Sequence, residues 1–301
     1  MSSPRRDRPP LSAVTPGRAR LGECPVWCGR SRRLYWVDID GRTVHRTDPE
    51  RGIDEERELD VRPGSIALCR RDGDLLVAAE HGLHLLEWAT GTLTHLRVLE
   101  TADAPTRMND GRCDPAGRFW VGSMDDPAGS GAHRAQLHRV EGDLTATTCE
   151  HGIGVSNSLA FGPDGTTMYW ADTRQGVIRA YDYDVTDGSR SNERVLVDFA
   201  GQLPGAPDGA CVDAAGCLWS ACVYGWGLAR ITPHGEIDRF VELPVEKPSM
   251  PAFGGERLDM MFVTSISTGG SRPAAPGQPL AGALLAVDVG CVGLPEPRFA
   301  G

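Results

Sequence analysis

Four residues of this 301-residue chain have the types and spacing to converge on a cation: Glu23, Asn109, Asn157 and Asp208. Each stands eleven or thirteen residues upstream of a tryptophan, respectively Trp36, Trp120, Trp170 and Trp219. Gly, Pro or Ser flanks each one, and a short apolar-alternating stretch follows, as in Ala206-Pro207-Asp208-Gly209. Two carboxylates and two carboxamides meeting without an opposing Lys repel one another, and a divalent cation offsets that repulsion. All-oxygen donors favour Ca²⁺, Mg²⁺ or Mn²⁺, and Zn²⁺ also accepts carboxylate oxygen. No His occupies any of the four positions, which argues against a His-rich zinc site. A single Asn-Asp-Gly or Pro-Asp-Gly is an ordinary turn, whereas four polar residues in register with a repeat point to a site. Arg107, two residues before Asn109, projects into the same mouth by strand alternation. Whether Asn109 is a ligand or a substrate contact stays open at this level.

The elements that must position these residues are visible as a sixfold repeat. A turn rich in Asp and Gly precedes a strand with a large apolar pair, anchored at Trp36, Leu76, Trp120, Trp170, Trp219 and Phe262. The spacings are 40, 44, 50, 49 and 43 residues. Repeats of this length built from short strands predict an all-β, six-bladed β-propeller with four-stranded antiparallel blades. In a radially repeated fold, equivalent positions face one axis, so the four polar residues meet there. The corresponding places in the second and sixth repeats hold Ser65 and Ser249-Met250-Pro251. No 12-residue segment carries a helical period, and turn signals recur every 8 to 12 residues. The expected organisation is a disordered tail over residues 1–14 and one propeller domain over 15–301. Residues 269–279, rich in Gly, Pro, Ala and Ser, form a loop before the last sheet resumes at 283–287. Closing the ring needs strands from both ends of the chain, because an open ring leaves exposed sheet edges.

Composition narrows the function classes. The net charge is −10, from 41 acidic and 31 basic residues, the wrong sign for a nucleic-acid binder. No run of 18 apolar residues exists, so no membrane span is expected. Nine scattered cysteines, without C-x-x-C, behave as free thiols of a reducing cytoplasm. The first ten residues hold three Arg and three Pro and lack the apolar stretch of a secretory signal. Neither a G-x-S-x-G nucleophile elbow nor a phosphate-binding glycine loop is present. A monomer or small homo-oligomer is equally compatible with the sequence.

Several ordered stretches make the chain similar to the senescence marker protein (regucalcin), gluconolactonase and luciferin-regenerating enzyme family, and most of all to its bacterial sugar lactonases. They include Leu21-Gly22-Glu23, Leu34-Tyr35-Trp36-Val37-Asp38, Asn109-Asp110-Gly111-Arg112, Phe161-Gly162-Pro163-Asp164-Gly165, Pro207-Asp208-Gly209 and Gly293-Leu294-Pro295-Glu296-Pro297. The resemblance implies one divalent metal (Ca, Zn, Mn or Mg) held by Glu23, Asn157 and Asp208 at the channel mouth. It implies Arg107 and Asn109 as substrate contacts. A carboxylate that some members carry near Met124 has only Asp126 as a substitute here, because Pro127 follows it. Cys24 and Ser158 stand where relatives of this kind often have Gly. The expected reaction is metal-assisted opening of a small aldonolactone, with Asp208 as general base. A phosphotriesterase-type hydrolase and a non-catalytic calcium-binding propeller are the competing expectations.

Overall fold

The computed structural model describes residues 4–15 and 19–301, and its strands form six sheets. Blade one runs through Gly22–Cys28, Arg33–Asp38, Thr43–Asp48 and Ile53–Glu58, all antiparallel. Blades two to five repeat this order, starting from inner strands Pro63–Leu68, Thr106–Cys113, Ser156–Phe161 and Ala206–Val212. Blade six takes Pro248–Gly254, Met260–Ser265 and Leu285–Val287 from the C-terminal part, and its outer strand from Leu11–Ala13. The expected ring closure by both ends of the chain is therefore observed. Each inner strand packs against the next around the circle, with the sixth against the first.

The N-terminal segment differs from the tail expected over residues 1–14. Leu11–Ala13 closes blade six, and Arg5–Asp7 adds a fifth strand to blade five, parallel to Ile237–Glu242. Residues 1–3 of that expectation lie outside the described residues. An edge strand needs only main-chain groups to pair, so the polar Arg5-Arg6-Asp7 serves as well as an apolar run. Among the described residues there is no α-helix, only a single 3₁₀ turn over Thr173–Gln175.

All six anchors lie on the second strand of their blade and are buried. Trp36 and Trp170 are the fourth residue of that strand, Trp120 and Trp219 the second. This shift of one pleat repeat keeps the side chain on the same face, and it matches the two-residue difference between the thirteen and eleven spacings. The four indoles are satisfied, by Thr47 Oγ1, Tyr183 OH, Ser156 Oγ and Asp213 Oδ2 at 2.8 to 3.0 Å.

Every inner strand breaks register near its start, between Glu23 and Val26, Pro63 and Ser65, Met108 and Gly111, Asn157 and Ala160, Pro207 and Ala210, and Pro248 and Pro251. A bulge bends the strand and re-aims a side chain, and Glu23, Asn109, Asn157 and Asp208 all stand at or inside such a bulge. The opposite end of the channel is covered by the C-terminal segment, where Arg112 Nη1 meets Glu296 Oε1 at 2.5 Å and Phe299 N donates to Leu68 O at 2.8 Å.

Candidate functional site

The structure brings the four expected axial residues together at the bulges. Asn109 of blade three donates through Nδ2 to Asn157 Oδ1 of blade four at 3.1 Å, and to Ser156 O at 2.9 Å. Asn157 Nδ2 in turn donates to Thr173 Oγ1 at 2.8 Å, and that hydroxyl donates to Pro207 O of blade five at 2.8 Å. Asp208 is buried and Glu23 half-buried, and Asp208 is among the charges that raise the Glu23 pKa. Arg107 is 6 % exposed and uses Nη1 on Met108 O and Asn109 Oδ1, at 3.0 and 3.1 Å. The guanidinium thus fixes the carboxamide of Asn109, which in turn fixes that of Asn157.

The electrostatics of this cluster are those of an excess of buried negative charge. Burial pushes the Glu23 carboxyl well above its ordinary value, and the charges of Asp208 and Asp110 push it further. The Cys24 amide and Arg107 oppose that shift without cancelling it. Asp208 is pushed up to about 8, first by burial and then by Asp110, against the Gly209 amide, Asn157 and Arg107. Asp110 is raised to about 6 by burial, although Leu159 N donates to its Oδ2 at 2.8 Å. Its Oδ1 is buried with no partner. Arg107 opposes Glu23 and Asp208, and Arg112 opposes Asp110, yet all three carboxyls stay raised and one Asp110 oxygen is orphaned, so the chemistry of the set fits a cation. Glu23, Asp208 and the amide oxygen of Asn157 are the donors able to hold it. Among the described residues no three His, Cys, Asp or Glu side chains are grouped so as to hold a metal ion.

Asp126, expected at the substrate, sits at the rim with its Oδ2 2.5 Å from Arg62 Nη2. Burial raises its pKa, but Arg62 outweighs burial and holds it below the ordinary value. Arg62 also pairs with Glu80 at 3.0 Å, so Asp126 belongs to a rim of paired charges, and its charge still acts on Arg107. Three contributors were not singled out in the sequence. Asp110 is hidden in the turn-like Asn109-Asp110-Gly111, although its position beside Asn109 in the bulge was a usable signal. Thr173 acts only through the 3₁₀ turn, and Arg62 through a contact 64 residues away, so neither left a sequence signal.

Residues 101–106, which border Arg107, are tied at both ends. Glu100 N donates to His81 O at 3.0 Å, and Asp126 N donates to Pro105 O at 2.9 Å. The Glu100 carboxylate accepts from Thr106 Oγ1, from Ser123 Oγ at 2.6 Å and lies 3.2 Å from His138 Nε2. Burial pushes Glu100 up, but hydrogen bonds from His138, Ser123 and Thr106 outweigh it and hold the carboxyl below its ordinary value. A depressed carboxyl adds stability above its unfolded pKa, and that stability is lost as pH falls through the lower folded value. Glu100→Gln should therefore destabilise the protein at pH 7 in urea titrations, with the difference from wild type shrinking as pH falls below the ordinary carboxyl value of about 4.3. A constant difference at all pH values would assign the loss to packing alone.

Comparison with known proteins fits this geometry. A family profile described as SMP-30/Gluconolactonase/LRE-like region matches residues 21–267. A 6-deoxy-6-sulfogluconolactonase of Pseudomonas putida is 39% identical over 97% of this chain and 99% of its own length. A pentonolactonase of Haloferax volcanii is 37% identical over 96% of this chain and 97% of its own. A calcium-binding regucalcin from Agrobacterium tumefaciens superposes with a TM-score of 0.91 at 27% identity, covering 99% of both chains. No helix among the described residues is long and apolar enough to cross a membrane. With a matching profile over most of its length and full-length relatives named as sugar lactonases, the chain belongs to the SMP-30/gluconolactonase/LRE-like family.

Proposed function

We propose that the protein is a metal-dependent hydrolase that opens the ring of a small sugar lactone. The observation that carries this reading is the set of raised carboxyls of Glu23, Asp208 and Asp110, which Arg107 and Arg112 do not neutralise, beside two carboxamides already fixed by hydrogen bonds. A divalent cation held by Glu23, Asn157 and Asp208 would supply Lewis-acid polarisation of the lactone carbonyl and stabilise the developing oxyanion. Asp208 takes a proton from the attacking water as the new C–O bond forms at the carbonyl carbon. The ring C–O bond then breaks, and the departing ring oxygen receives the proton that Asp208 held, leaving the open hydroxy acid. Arg107 and Asn109 orient the oxygens of the sugar ring, and Asp126 with its partner Arg62 forms the rim that the substrate passes. Nine free cysteines suit a reducing, cytoplasmic setting for this chemistry.

The test is a panel of aldonolactones and a paraoxon-type phosphotriester, assayed with Ca²⁺, Mn²⁺, Zn²⁺, Mg²⁺ and with chelator. Metal-dependent hydrolysis of at least one lactone is expected. Turnover of the phosphotriester alone would replace the reading with a phosphotriesterase. Metal binding without any turnover would leave a calcium-binding propeller in its place.

A further inference from the structure

Ser158 is fully buried, and its backbone φ is 58°, in the left-handed region that disfavours any residue with a β-carbon. It follows Asn157 directly and lies inside the bulge of the fourth inner strand. Glycine would adopt this φ freely, so retention of a serine needs a compensating contact. The contact is present: Ser158 Oγ donates to the main-chain oxygen of Asp208 at 2.5 Å, crossing from blade four to blade five. Asp208 itself falls where the ladder of blade five breaks, between the paired Pro207 and Ala210. Thr173 Oγ1 donates to the preceding carbonyl, that of Pro207, at 2.8 Å. Two hydroxyls of blade four thus hold two consecutive carbonyls of the bulge that carries Asp208.

The same device recurs at Cys24, which follows Glu23 in the first bulge and has φ 47°. Its Sγ lies 3.5 Å from Ile66 O and accepts from Ile66 N at 3.3 Å, crossing from blade one to blade two. In both places a strained residue after an axial donor reaches to the next inner strand. Only at Ser158 does the clasp end on an axial carboxylate residue. Strain held in a buried residue beside a site is the observation from which function is inferred.

We propose that Ser158 is a positioning residue: its hydroxyl fixes the main chain of Asp208 and thereby aims the carboxylate at the reacting water. This rests on the role given to Asp208 under the proposed function. Ser158→Gly removes the hydroxyl and the strain together, and Ser158→Ala removes the hydroxyl but keeps the strain. In Ser158→Gly the Tm of the metal-free protein should stay within a few degrees of wild type, while kcat falls about tenfold or more with KM nearly unchanged. Amide hydrogen exchange at Asp208 and Gly209 should accelerate in the metal-free variant. In Ser158→Ala both Tm and kcat should fall. Wild-type kcat together with unchanged exchange in Ser158→Gly would overturn the proposal. If wild type opens no lactone, the functional reading fails separately, and the exchange at residues 208 and 209 still decides whether Ser158 holds this bulge.

Discussion

Asp208→Asn should lower kcat for lactone opening by about 10²- to 10⁴-fold, the range contributed by a positioned general base. The variant keeps the size and hydrogen-bonding reach of the side chain, so the chain from Asn109 through Asn157 and Thr173 to blade five is expected to survive. Its metal-free form should be at least as stable as wild type at pH 8. A neutral amide removes one of the carboxylates whose mutual repulsion and burial raise the Glu23 pKa. Loss of activity with stability kept separates a chemical role from a structural one. Near-wild-type kcat in a folded Asp208→Asn would take the general base away from this residue.

The second large effect concerns metal affinity and its pH dependence. Glu23→Gln should weaken divalent-metal binding by more than the roughly 10- to 100-fold that loss of an outer-sphere partner costs. Both axial carboxyls are raised in the metal-free fold, Asp208 to about 8. Between the ordinary carboxylate pKa of about 4 and that value, the native state holds more protons than the unfolded chain. Their contribution to metal-free stability is thus largest at the acid end of this window and is lost as pH rises through it. Metal must displace the same protons, so affinity should rise with pH over the window. Calorimetric titrations at pH 6 and 8 in two buffers of different ionisation enthalpy would show the proton release. Binding that is independent of pH, or unaffected by Glu23→Gln, would remove Glu23 from the ligand set.

The ring was legible because each blade repeats its second strand, and that strand must bury a large side chain between neighbours. Trp36, Trp120, Trp170 and Trp219 announce it, and Leu76 and Phe262 fill the remaining two places. That both ends of the chain close the ring was legible, but which N-terminal residues form strands was not, since Arg5–Asp7 and Leu11–Ala13 pair at outer edges where side-chain pattern carries little information. At the site, radial symmetry was enough to point Glu23, Asn109, Asn157 and Asp208 at one axis. What symmetry could not reveal were contacts that break it. Asp110 turns its carboxylate to Leu159 N, Thr173 relays Asn157 to Pro207, and Arg62 takes up Asp126. Ser158 and Cys24 were visible in the sequence as departures from glycine. Their left-handed backbones and inter-blade contacts appear only in the fold.

The central claim is that Glu23, Asn157 and Asp208 hold one metal ion that lactone opening requires. Stripping the protein with chelator, then adding back metal stepwise while following gluconolactone hydrolysis, tests it most directly. Activity should be lost on stripping and return in proportion to bound metal, reaching its plateau at one equivalent per chain. Full lactonase activity in the stripped protein would contradict the account.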